Sequence, residues 1–168
     1  MKKSTNITIM IILTVCLLVV TAGNVFSEEY STLKGLKSVK AVFDFEMGNP
    51  QSALLHLKVI HQTFKDKNLR AITKKPDFVI IFIGPSVKLT SKSKAGFTAE
   101  DQKILDEFAS TISEMSKDGV KFEICLIAAK LFGVEPSSIL PDVKQVGNGW
   151  ISLIGHEAKG YALVPVFG

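Results

Sequence analysis

The chain has 168 residues, enough for one domain with a substantial core, and its 20 basic against 16 acidic residues leave a formal net charge of +4. A balance so near neutral argues against a nucleic-acid partner.

The first 27 residues read as a secretory signal peptide. Lys2 and Lys3 form a positive start, Ile7 to Ala22 an uncharged apolar run, and Val25-Phe26-Ser27 sets small residues before Glu28 and Glu29. The expectation is an exported protein, periplasmic or secreted. The apolar run is short of the roughly 20 residues of a membrane span; left uncleaved, it would instead hold the chain at a membrane as a signal anchor. Cys16 lacks the small preceding residue of a lipoprotein cysteine, because Val15 stands there. Cleavage leaves Cys125 as the one cysteine, so no internal disulfide forms and stability must come from packing. An odd cysteine in such a compartment points to a reactive thiol or an intermolecular link.

Residues 28–36 form a lead-in, and residues 37–168 an α/β domain. Ser38 to Phe45 alternates and is rich in β-formers, which predicts a first strand. Asn49 reads as an N-cap with Pro50 at the first helical position. Ala53, Leu54, Leu57, Ile60, His61 and Phe64 fall on one stripe, giving a helix from Pro50 to about Lys65. Lys65 to Lys75 reads as a charged, exposed stretch. Phe78 to Ile83 is an unbroken apolar run of the kind a strand covered on both faces shows. Val87 to Ala95 is polar and reads as a loop or a mobile helix. Thr98 caps a second helix whose stripe is Ile104, Leu105, Phe108, Ile112 and Met115, and Gly119 ends it. A strand, Val120 to Ile124, leads into Cys125 and a short helix from Leu126 to Phe132. A turn of helix near Pro136, a short strand from Val143 to Val146, a helix from Trp150 to Ala158 and a last strand from Tyr161 to Phe167 complete the chain. The alternation of strand and helix predicts a three-layer α/β/α fold on a mostly parallel sheet of about five strands.

Ligand sites in open parallel sheets gather beyond the carboxyl ends of the strands. Cys125 stands at such an end and also opens a helix, whose free N–H groups and dipole favour an anion such as a thiolate or a persulfide. Lys130 and Lys121 are its nearest cations in sequence. The competing reading is a buried structural cysteine among Ile124, Leu126 and Ile127, since free cysteine is among the most buried residue types.

The segment Asp118 to Cys125, in which a helix ends in glycine and the cysteine closes the next strand, resembles the cysteine-bearing segment of the DsrE/DsrF-like sulfur-relay family. Val42-Phe43-Asp44-Phe45 with Asn49-Pro50, Phe82-Ile83-Gly84 with Val87-Lys88-Leu89, Leu140 to Val143 and Gly160-Tyr161-Ala162 follow in the same order. The resemblance covers roughly residues 37–166. It implies a three-layer fold, assembly into homo-oligomers (trimers or hexamers), and a partner protein that donates or accepts sulfur. The relay role, carrying sulfane sulfur as a persulfide, falls on Cys125 alone. Two positions depart from the pattern: Ile83 replaces a histidine found in several relatives, and Leu126-Ile127-Ala128 lacks the asparagine found in many. Both make the surroundings of the thiol more apolar.

Other chemistry finds little support. His56 and His61 point about 140° apart on their helix and form no metal pair. His156 could activate the thiol only if the fold brought it to Cys125. Zinc spacing and nucleotide-binding glycine patterns are absent, so neither metal nor cofactor is expected. Three readings follow: an exported sulfur carrier working through Cys125, a non-catalytic oligomeric binding module with a buried structural cysteine, and a redox sensor that forms an intermolecular disulfide.

Overall fold

A computed structural model describes residues 30–168; the expected leader, with its expected cleavage after Ser27, lies outside the described residues. Ser31–Leu33 forms a single 3-10 turn, and the main folded unit begins at Gly35.

That unit has five strands: β1 (Lys40–Phe45), β2 (Asp77–Phe82), β3 (Lys121–Cys125), β4 (Val143–Val146) and β5 (Ala162–Val166). They form one sheet in the order β4-β3-β2-β1-β5, and every pairing is parallel. The helices are α1 (Pro50–Lys65), α2 (Lys67–Ile72), α3 (Ala99–Asp118), α4 (Leu126–Leu131) and α5 (Gly149–Ala158).

Local chemistry fixes the two long helices. The Asn49 side chain accepts the Ser52 N–H at 2.9 Å and Pro50 occupies the first turn of α1. The Thr98 hydroxyl accepts the Asp101 N–H at 3.1 Å, and Gly119 closes α3 at φ 105°, a left-handed conformation that favours glycine. These helices cover one face of the sheet with an aromatic layer. Phe64 of α1 meets Phe78 at 5.4 Å between ring centroids, and Phe108 of α3 meets Phe82 at 6.0 Å. Phe43, Phe45 and Phe122 extend the layer across β1 and β3. Rings at these separations add to the burial of their area.

The opposite face carries smaller side chains, Val42, Val79, Ile81 and Ile83, and is crossed by α5. Helices on both faces make the three-layer α/β fold that the strand–helix alternation predicts. Because β5 returns to lie beside β1, the connection through α5 carries the chain from one edge of the sheet to the other.

Two stretches are more ordered than the sequence reading specifies. The charged run after Lys65 contains α2, capped by Asp66, whose carboxylate accepts the Asn68 N–H at 2.7 Å. Arg70 lies 4.7 Å over the Phe64 ring and donates to the Phe64 carbonyl at 3.0 Å, so the run is tied to the core by its basic side chain. The polar stretch after Ile83 is a 3-10 helix, Gly84–Thr90, in which Ser86 and Thr90 are fully buried. Their hydroxyls donate to backbone carbonyls, which removes the penalty of burial.

Candidate functional site

Cys125 closes β3 and caps α4. Its Sγ accepts the Ala128 N–H at 3.5 Å, a long contact for a weak acceptor. The residue is 5 % exposed. Its side chain forms part of the wall of a cavity of about 290 Å³ at the carboxyl edge of the sheet, shared with Glu46, Ile83, Phe132, Asn148 and Trp150. The rim is apolar and open to solvent: Ile127 is 58 %, Leu131 79 % and Trp150 65 % exposed.

Strand register builds the wall. Phe45 pairs with Phe82 and Phe82 with Ile124. The next residues along, Glu46, Ile83 and Cys125, therefore stand in one row across the strand ends, on the face that α5 covers. Glu46 lies two strands from Cys125, roughly 10 Å at ~4.8 Å per strand. The Ser86 hydroxyl fastens this edge, reaching the Phe45 carbonyl at 2.6 Å and the Ile83 carbonyl at 2.8 Å. Gly84, at φ 60°, turns the chain away from β2 beside Glu46.

The second wall comes from α5. The Asn148 side chain accepts the Trp150 N–H at 3.0 Å and caps the helix. Gly149 then presses onto the sheet: a Cβ there would lie 2.9 Å from Cys125 Cβ and 2.9 Å from Ile83 Cδ1. A glycine is required by this close approach.

Beneath the cavity is a polar cluster. Glu123 lies two residues before Cys125 on the same strand face and is 8 % exposed. Its carboxylate accepts the Ser152 hydroxyl and stands 3.7 Å from His156 Nε2 and 3.9 Å from Lys144 Nζ. Asp44, in the corresponding row on β1, keeps Oδ1 buried without a partner, as does His156 at Nδ1. Burial, and then the negative charge of Glu46, hold the Asp44 carboxyl above the ordinary carboxylate range.

The cations and the histidine nearest Cys125 in sequence form no part of the cavity wall. Lys130 is exposed on α4 and forms no part of the cavity wall. Lys121 sits at the far end of β3, paired with Asp77 at 2.8 Å. His156 belongs to the Glu123 cluster and packs edge-on against Tyr161. Glu46 and Asn148, which the sequence reading did not single out, line the cavity with Cys125, and Gly149 packs behind Cys125 and Ile83.

His56 and His61 are structural. His56 Nδ1 bonds the Ser52 carbonyl at 2.9 Å, and His61 Nε2 bonds Asp118 at 2.7 Å across α1 and α3. His61, Glu114 and Asp118 bring three ligand-type atoms within 4.8 Å of one another. The Lys65 ammonium already neutralises that group, 2.9 Å from Asp118 and 3.4 Å from Glu114. Bonds from Lys65 and then His61 hold the Asp118 carboxyl below its ordinary range.

Comparison with known proteins follows this geometry. The model of the DsrE/DsrF-like family matches residues 49–166. An uncharacterized protein of Aquifex aeolicus is 30 % identical over 130 residues, covering 76 % of this chain and 56 % of that protein. The chain thus spans about half the length of this curated relative. Among solved structures, a protein of unknown function from Methanobacterium thermoautotrophicum superposes with a TM-score of 0.57 at 16 % identity, covering 76 % of this chain and 99 % of that one. The ychN protein from E. coli gives a TM-score of 0.50 at 15 % identity, covering 77 % of this chain and 99 % of that one. Both likenesses are likenesses of fold.

Proposed function

Because the chain belongs to the DsrE/DsrF-like family, we propose that it is an exported sulfur carrier that holds sulfane sulfur as a persulfide on Cys125. The observation that carries this reading is the placement of the one free cysteine among the described residues, at a strand's carboxyl end and on the wall of an open-rimmed cavity. The step balances without an outside oxidant. The Cys125 thiolate attacks the outer sulfur of a donor R–S–SH; the new S–S bond forms as the donor's S–S bond breaks, R–S⁻ leaves, and Cys125 becomes –S–SH. An acceptor thiolate then attacks that outer sulfur and Cys125 leaves as thiolate. Export rests on the leader, and partner proteins supply and remove the sulfur.

The test is the intact mass of native protein as purified and after exposure to dissolved elemental sulfur, a neutral sulfane-sulfur donor, beside Cys125→Ser and an unrelated protein with an exposed thiol. Added mass of sulfur on the native chain beyond the control, absent from the variant, is the expected outcome. Equal sulfur uptake by Cys125→Ser would sink the proposal.

One observation favours a second reading. Cys125 is 5 % exposed and faces apolar neighbours, as a structural cysteine does. A binding module on the same fold would hold a thiol that resists alkylation until the protein unfolds.

A further inference from the structure

We propose that the Cys125 cavity selects sulfur donors and acceptors that are uncharged and apolar beside the reacting sulfur, and turns away anionic ones such as thiosulfate. This inference names a substrate class for the site and rests on Cys125 as its working thiol.

The wall makes the selection. Ile83, Ile127, Leu131, Phe132 and Trp150 supply an apolar lining and rim, and among the described residues Glu46 is the one charged group on that wall. An anion entering there would lose water and gain no cation, which is a large cost for a charged group. The N–H groups of Ile127, Ala128 and Trp150 that open the two helices are already taken by the Gly147 carbonyl, Cys125 Sγ and Asn148 Oδ1, and the surrounding charges do not correct the loss. Glu123 adds a second carboxylate on the Cys125 strand, and its neighbours Lys144 and His156 face that carboxylate. Asp44 adds a third acid on β1, close enough to Glu46 to feel its charge. Lys121 is held by Asp77 at the opposite end of β3. At roughly 10 Å, one carboxylate in a medium of intermediate polarity disfavours an approaching anion by a few-fold to about tenfold. The size is also restrictive: about 290 Å³ takes a small group rather than a large carrier.

The selection can be read with two aromatic disulfides, neutral dithiodipyridine and the bulkier dianion of dithiobis(nitrobenzoic acid), with the response to salt separating charge from size. Each reacts by the same exchange: the Cys125 thiolate forms a mixed disulfide with one aryl sulfur, and the other aryl group leaves as a coloured thiolate. Rates on the native protein are divided by those on a free cysteine derivative. The expected neutral-to-anionic ratio exceeds that of the free thiol by about tenfold. Glu46→Gln should narrow that neutral-to-anionic ratio by about three- to tenfold. Added salt, which needs no variant, should raise the anionic rate alone. A ratio equal to that of the free thiol, unmoved by salt, overturns the selectivity while leaving the sulfur-carrier reading intact. Failure of both reagents to react before unfolding overturns the working thiol itself.

Discussion

Gly149 has no side chain because none fits. A methyl group there would enter Cys125 and Ile83 at 2.9 Å, and the backbone of α5 would have to lift. Gly149→Ala should therefore destabilise the protein by about 1–3 kcal/mol in denaturant unfolding. It should also speed alkylation of Cys125, because the helix that shields the thiol moves away. A stable variant with an unchanged thiol would contradict the close packing. Cys125 was legible in the sequence, being the single cysteine beyond the leader and placed where a strand gives way to a helix. Glu46 was not, because it enters the site only through the register of three strands that pair across long sequence separations. The same gap explains Lys130, Lys121 and His156. They are near Cys125 in sequence or plausible by chemistry, yet Lys130 lies exposed on α4, and Lys121 and His156 meet Asp77 and Glu123 instead. Direction within a helix or strand is readable from sequence, whereas the faces that finally meet depend on how elements stack.

Among the elements, the amino ends of β2, β3 and β5 are joined by one polar knot. The Tyr161 hydroxyl donates to Asp77 at 2.6 Å, and Lys121 pairs with the same carboxylate at 2.8 Å. Burial, then the bond to Asp77 and its negative charge, push the Tyr161 phenol up from 10.0 to about 12. Folding thus favours the protonated phenol. The stability it contributes is complete below pH 10 and is lost as pH rises toward 12. Thermal melting across that range should show a steeper alkaline loss for the native protein than for Tyr161→Phe, and identical slopes would remove the knot from the account. For Asp77, burial alone would raise the carboxyl, but the bonds from Lys121 and Tyr161 bring it below the ordinary 3.8. Its contribution is present above that value and is lost as pH falls through its lowered range. At this scale the sequence was most readable where local signals agreed. Asn49 and Thr98 as caps, Gly119 as a stop and the apolar stripes place α1 and α3 at their observed bounds. The 3-10 segment after β2 was opaque, because Ser86 and Thr90 are polar letters whose burial depends on carbonyls supplied by the local fold.

Across the whole molecule, the described surface carries more apolar area than a solitary domain needs. Trp150, Ile151 and Ile154 project from α5, and each is at least 65 % exposed. On the edge strand β5, Ala162, Leu163, Val164 and Pro165 are all exposed, so both of its faces lack cover along most of its length. Contiguous apolar surface of this kind marks an interaction site. A second copy of the chain is the proposed occupant, in keeping with the assembly that the family resemblance implies. Sedimentation analysis should find an oligomer, and Ile151→Glu with Ile154→Glu should drive it toward monomer with the fold intact by circular dichroism. A monomeric native protein at micromolar concentration would refute the assembly.

The sheet order has its own consequence for biosynthesis. β1 leaves the ribosome before the other four strands of the sheet, but its neighbour on one side is β5, the last of the five to be made. Until residues 162–166 arrive, one side of a buried, phenylalanine-bearing strand is an open edge able to template pairing with another chain. A stop codon before Ala162 therefore removes more than a tail. It leaves the nascent sheet permanently unclosed, and such a product should be cleared as an aggregation-prone fragment rather than persist as a shortened protein.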